Sequence, residues 1–415
     1  MKIKSLLSMA FAMLCMTSAM AQSKTVTTTS AGTLAGLLTD DEKATVKELV
    51  VAGPLNKTDF NFIMTMTALE SLDIKAATIA EETLDGTTYP ADELPENALN
   101  KNESIKTLVL PTSILSVGEN AVSFSAVVNV DFSPCTKLKA ISREAFYCNN
   151  YMASMNLSGL KALETIGINA FNTCSQKAEG VTELAIDLSG CSSLKEIEDN
   201  AFANIKTAGL AINLSGCASL TTLGEGAFLN GKEKSVDLSE CTALETIAKR
   251  AFSISSKTIA KITDVKLPAN LKTIALEAFR NQQKITSVSI LAMTPPSLAT
   301  DGFFATDGAY NATLTVPVGS KAAYEANEEW KKFKEIVESD GSSVKEFEVA
   351  ETKIWGANNT IYVVNAEEGA AVNVYDLSGA LVASGCASDG TLILQVPANG
   401  LYIVKASDAT AKIRL

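Results

Sequence analysis

Asp187–Phe202 reads DLSGCSSLKEIEDNAF, and its pattern recurs along most of the chain. Leu188, Cys191, Leu194 and Ile197 stand three apart, and Ala201-Phe202 closes the unit. The same frame gives Phe132, Cys135, Leu138, Ile141, Ala145 and Phe146, and it returns from Leu157 to Phe171, Leu214 to Phe228 and Leu238 to Phe252. A shorter form flanks these, with Leu110, Ile114, Val117, Ala121 and Val122 on one side and Leu267, Leu271, Ile274, Ala278 and Phe279 on the other. The closing alanine falls at 121, 145, 170, 201, 227, 251 and 278. A period of this size predicts a stacked array, because one unit cannot bury its own apolar residues and its neighbours must do so. The extra residues of the longer units fall after the phenylalanine, as in Asn172–Thr182 and Ser253–Thr263. Loops there lengthen at small entropic cost.

The 415 residues carry 47% apolar and 6% aromatic side chains, so leucine, isoleucine, alanine and valine must form the core. The formal net charge is −12 and there is no basic cluster, which disfavours nucleic acid as a partner. There is no histidine. That removes Ser–His–Asp and Cys–His catalysis and histidine-ligated zinc. No glycine-rich phosphate loop, HExxH or GxSxG is present, and the serine of Leu-Ser-Gly-Cys has no activating base.

Residues 1–21 have the make-up of a secretory leader: Lys2 and Lys4, an apolar Leu6–Met16, then Ala19-Met20-Ala21 before Gln22. Leu14 before Cys15 argues against a lipoprotein signal, and no later stretch is long and apolar enough for a transmembrane helix. Residues 22–338 are expected to form the solenoid, opened by a cap over about 22–74 and closed by a unit over about 306–338. In the opening cap, Leu34, Leu37 and Leu38 predict a short helix, and Leu49 and Val51 a strand that Gly53-Pro54 ends. Phe60, Phe62 and Met66 predict a second helix, and Leu72 and Ile74 a second strand. Residues 339–344 read as a polar linker.

After the linker the period changes. Ile361, Val363, Val372, Val374, Leu392, Leu394, Val396, Leu401, Ile403 and Ile413 alternate with other residues, and turn pairs fall at Glu368-Gly369, Ser378-Gly379, Asp389-Gly390 and Asn399-Gly400. Residues 345–415 are therefore expected to be a small antiparallel β-sandwich.

The units LxLSGCxxLxxIxxxAF and VxLPxxLxxIxxxAF resemble the BspA-like leucine-rich repeats of bacterial surface proteins. Leu314–Glu338, with Val316-Pro317-Val318-Gly319-Ser320, Tyr324, Trp330 and Phe333, is similar to that family's last unit. The 290–305 unit departs from the pattern at Pro295-Pro296. VNVYDLSGALV and VPANGLYIVKA resemble the C-terminal sorting domain of type IX secretion cargo. Together the resemblances imply a leucine-rich-repeat solenoid followed by an all-β sandwich. They also imply a secreted or cell-surface protein that adheres to an extracellular protein or glycan and meets the secretion machinery through its C-terminal domain. No cofactor, metal or catalytic residue is expected. Two alternatives stand beside this reading: a carbohydrate-active enzyme built on a carboxylate pair, and a passive cell-envelope structural protein.

Cys135, Cys191, Cys217 and Cys241 share one repeat position that Leu160 fills in the remaining unit, which marks a small apolar filler. Seven cysteines remain after the leader, an odd number, with no CxxC. Cys148 and Cys174 follow their phenylalanines in adjacent units, leaving a pairing between them open. One residue before the strand leucine or phenylalanine, successive units place Asp131, Asn156, Asp187, Asn213, Asp237 and Lys266. Alternation along a strand points this column outward. It is the candidate ligand face, or a calcium site. The structural expectation is a hydrogen-bonded ladder in which asparagine amides separate the carboxylates.

Overall fold

A computed structural model describes residues 23–177, 183–205, 209–256, 260–299 and 310–339, and, within 352–414, all but 358–359, 365, 368, 377–378, 389–390, 398–399 and 407–408. The leader assigned to 1–21, residues 340–344 of the linker and part of the unit over 290–305 lie outside the described residues. The chain divides into two compact units between Ser339 and Asp340.

The first unit is a parallel β-solenoid, as the repeats predict. Each turn contributes two short strands. One ends on the Asp/Asn position, as in Glu183–Asp187, Gly209–Asn213 and Ser235–Asp237; the other ends on the last three-spaced apolar residue, as in Glu196–Ile197, Thr222–Leu223 and Thr246–Ile247. The second kind forms one nine-stranded sheet running from Glu93–Leu94 to Ser297–Leu298. Its register is strict, with Ile166, Ile197, Leu223, Ile247 and Ile274 opposite one another in turn. The first kind is split among sheets of six, three and five strands.

Stacking builds the core that no repeat has alone. Phe146, Phe171, Phe202, Phe228, Phe252 and Phe279 form a column whose neighbouring centroids lie 5.1–5.4 Å apart and whose planes lie within 12° of parallel. Two corners adopt left-handed backbone, the first in all seven of these turns and the second in six. The residue before the closing alanine does so at Asn120, Glu144, Asn169, Asn200, Gly226, Arg250 and Glu277. Three residues after the alanine, Phe124, Cys148, Thr173, Asn204, Asn230 and Asn281 do so again.

The opening segment differs from expectation in one strand. Glu48–Leu55 runs through Gly53-Pro54 instead of ending there. Gly53, at φ +86°, bends the strand so that its first half pairs with Ser71–Asp73 and its second half with Ala77–Ile79. The first helix is a 3-10 turn, Leu34–Leu37, and the helix Lys57–Ile63 stops before Met66. A further helix, Asp40–Thr45, has a capping box from Thr39 and Glu42. At the other end Tyr324 and Trp330 are fully buried. Tyr324 Oη donates to the Ala292 carbonyl (2.8 Å) and Trp330 Nε1 to the Pro296 carbonyl (2.8 Å), so the last unit is pinned onto the Pro-containing turn beneath it.

The second unit has two antiparallel sheets. Lys353–Ala357, Thr360–Val364 and Thr391–Gln395 form one. Leu381–Cys386, Ala371–Tyr375, Leu401–Ala406 and Ala409–Arg414 form the other. Ile361, Val363, Val372 and Val374 are buried as expected. In Leu401–Ala406 the inward residues are Tyr402, Val404 and Ala406, not Leu401 and Ile403. Strand periodicity leaves two phases, and the small Ala406 and the tyrosine select the other one.

Candidate binding faces of the solenoid

The column expected from sequence lies on the strands that form the interrupted sheets. Asn156, Asp187 and Asn213 are in register on one three-stranded sheet, Asp237 and Lys266 on the next, and Asp131 on the first. Among the described residues no amide-to-carboxylate hydrogen bond joins them, so the expected ladder is not seen there. One side-chain oxygen of each Asp or Asn, Oδ1, turns back on its own chain and accepts the backbone N–H two residues on: Asp131 from Ser133, Asn156 from Ser158, Asp187 from Ser189, Asn213 from Ser215 and Asp237 from Ser239, at 2.9–3.1 Å. These are Asx turns, in which Asp and Asn serve equally because only the oxygen is used. The signal was present as the recurrent D/N-x-S. The column ends in an ion pair, Lys266 Nζ to Asp237 Oδ2 at 2.9 Å. Burial raises the Asp237 pKa, but the Ser239 hydrogen bonds and Lys266 outweigh it and hold the carboxyl below its ordinary value.

The nine-stranded sheet presents a second face that sequence reasoning passed over. The residue before each inward apolar one is Ser116, Thr165, Thr222, Thr246, Thr273 or Ser297, with Glu93, Ala140 and Glu196 in the other three strands. Beside this row run paired charges, Lys195 with Glu164 and Lys272 with Glu245, each 2.6 Å apart. Thr221, Thr222, Thr242, Thr246, Ala248 and Asn270 line a shallow depression of about 550 Å³. Six hydroxyl residues ahead of the last three-spaced apolar position were the readable signal.

The cysteines are free, including Cys148 and Cys174. Cys191 and Cys217 Sγ donate to the Leu157 and Leu188 carbonyls, each at 3.2 Å. Burial pushes the Cys135 and Cys241 thiols up to about 12 and Cys191 to about 11, which suits packing and opposes nucleophilic chemistry. Among the described residues no group of three or more acids or cysteines is placed to hold a metal, and no helix is long and apolar enough to cross a membrane. Among the described residues the acid with the largest shift is Glu233, raised to about 8 by burial. It is 1% exposed, and among the described residues neither oxygen meets a hydrogen-bonding side chain.

A family model described as BspA type leucine rich repeat region matches residues 87–183 and 182–299, in six copies. Solved structures similar to the chain include a leucine-rich repeat protein from Bacteroides ovatus ATCC 8483, 18% identical over 63% of this chain and 67% of that one, with a TM-score of 0.34. A leucine rich cell surface protein from Faecalibacterium prausnitzii A2-165 is 14% identical over 71% and 74%, with a TM-score of 0.26. The pneumococcal vaccine antigen PcpA is 16% identical over 62% and 87%, with a TM-score of 0.28. No curated protein matches the chain.

Proposed function

We propose that this chain, which belongs to the BspA-type leucine-rich-repeat family, is a secreted or cell-surface protein that holds an extracellular protein or glycan along its nine-stranded sheet and catalyses nothing. The observation that carries the reading is the unbroken register of nine strands presenting a row rich in serine and threonine. Strands in a sheet lie about 4.8 Å apart, so hydroxyl donors and acceptors recur at that spacing on a surface the core keeps rigid. Repeat solenoids bind through such extended surfaces. The column Asp131, Asn156, Asp187, Asn213, Asp237 and Lys266 is the lesser candidate, because one oxygen of each Asp and Asn already closes its own turn, Lys266 pairs with Asp237, and the strands that carry it divide among three sheets. The two-carboxylate enzyme reading is weaker still: its most perturbed acid, Glu233, is sealed from substrate.

The test is capture on an array of extracellular-matrix proteins and glycans, comparing wild type with Thr222→Arg/Thr246→Arg. Both side chains are exposed, so the fold should tolerate the change. A ligand held by wild type should be lost at least tenfold by the variant; unchanged capture would remove this face from the reading.

We also propose that residues 1–21 direct export and that 345–415 are a separately folding sorting domain joined over 339–344. Limited proteolysis should cut near Asp340–Ser343 and leave the solenoid folded. Removing 345–415 should leave it folded but mislocalised in a host with the matching system; full surface display of the truncated chain would refute the sorting role.

A further inference from the structure

The left-handed corner three residues after the closing alanine is filled by Asn204, Asn230 and Asn281 at φ 60–67°, and by Cys148 and Thr173 at 57° and 62°. Asparagine tolerates this backbone better than other side chains with a Cβ. Here its amide is also used: Asn230 Nδ2 donates to Asn204 Oδ1 (2.8 Å), and Asn204 Nδ2 to Asn172 Oδ1 (3.2 Å). Phe124 occupies the equivalent corner at φ 54°, with 48% of its surface exposed. It gains neither the local hydrogen bond nor full burial. Backbone conformation does not set Phe124 apart from Cys148 and Thr173; the large apolar ring left nearly half exposed does, and such a ring points to a role other than folding.

Its surroundings give that role a chemistry. The Phe124 N–H donates to the Tyr147 carbonyl (2.8 Å), and the two rings meet edge to face at 5.3 Å and 79°. Tyr151, also exposed, is four residues further on, hence within about 14 Å of Tyr147. Lys106 and Lys177 each place an ammonium 5.9 Å from the centroid of the Tyr151 ring. Neither lysine meets a carboxylate among the described residues, whereas Lys47, Lys195, Lys249 and Lys272 each do. The only hydrogen bond of the Lys106 ammonium among those residues is to the Glu103 carbonyl, at 3.1 Å.

We propose that Phe124, Tyr147 and Tyr151, with Lys106 and Lys177, form a binding subsite for an acidic polysaccharide. The proposal rests on the binding reading above and uses none of the nine-strand row. The C–H faces of sugar rings stack on exposed aromatic rings, and carboxylate or sulfate groups meet the two ammonium groups. A protein partner fits less well, because lysine is depleted in protein interfaces.

The test is affinity electrophoresis of the full chain through gels holding polygalacturonate, heparin or dextran. Wild type should be retarded by at least one acidic polymer, and which one separates a carboxylate source from a sulfate source. Dextran should have no effect. Phe124→Asn, which installs the residue of the sibling corners, should weaken retardation at least fivefold while raising Tm. Lys106→Gln/Lys177→Gln should weaken it similarly and flatten its salt dependence. Absent retardation in both acidic gels, equal retardation in dextran, or retardation untouched by either variant would overturn the proposal. So would a fall in Tm for Phe124→Asn, which would make the ring structural. Thr222→Arg/Thr246→Arg should be retarded like wild type. Capture of an array ligand by a chain that no acidic gel retards would therefore sink this subsite and leave the sheet-face reading standing.

Discussion

Phe171 and Phe202 stack with centroids 5.2 Å apart and planes 2° from parallel, although 31 residues separate them. Phe228 and Phe252 are 24 residues apart and stack at 5.3 Å. The difference in length is taken up in the loops, and the core repeat is unchanged. Phe202→Ala removes a fully buried ring between two others and should cost about 3–5 kcal/mol. Denaturant titration measures this, and a loss below about 1 kcal/mol would mean the column relaxes around the gap. A cycle with Phe171→Ala should show the two sites are not additive.

Asn213 closes a turn with Ser215 and faces Asp187 across the sheet. Asn213→Ala loses the accepted N–H and should cost about 1 kcal/mol. Asn213→Asp keeps the acceptor and adds an exposed like-charge contact, so its cost should stay within about 0.5 kcal/mol and shrink with added salt. Thermal melts of both variants at two ionic strengths check the order. Millimolar calcium should leave the wild-type Tm unchanged; a rise of several degrees would make the column a metal site.

Burial raises the thiol pKa along the cysteine column, so these groups should resist iodoacetamide in the native protein. Exposed Cys386 should react first. Half-buried Cys148, whose pKa desolvation also raises, should react more slowly. Peptide mapping after native alkylation should find adducts at these two positions, with Cys135, Cys191, Cys217 and Cys241 modified only after unfolding. Rapid native modification of the column would contradict its packing.

Glu233 sets a pH dependence. Its pKa rises from 4.5 to about 8 because burial disfavours the charge. As pH rises through 4.5 the unfolded chain loses this proton while the folded chain keeps it, so stability falls between about pH 4.5 and 8 and levels off above. Glu233→Gln removes the titration. It should flatten that stretch of the profile and leave the variant more stable than wild type at pH 8, by on the order of a few kcal/mol. Parallel pH–Tm profiles decide; equal slopes would show that Glu233 ionises freely in the folded state.

Much of the solenoid was legible because the spacing of Leu188, Cys191, Leu194, Ile197 and Phe202 is a local property that the stack then repeats. The filler role of the cysteines was legible for the same reason, since Leu160 takes the same place. The candidate face was less legible. The positions from Asp131 to Lys266 could be read, but the use of their oxygens could not, because a short polar side chain can bond its own backbone or a neighbouring strand, and the local N–H is the nearer partner.

That the chain repeats, which residues face the core and where the period breaks are all written in the residue spacing, since periodicity needs no knowledge of neighbours. Stacking and packing settle that the strands ending on the last three-spaced apolar residue run unbroken through nine turns while the others divide, and that Leu401–Ala406 buries Tyr402 instead of Leu401. They also bring Phe124 against Tyr147, and Lys106 and Lys177 to one tyrosine ring. Those contacts join residues tens of positions apart, and stacking one turn on the next is what closes that distance.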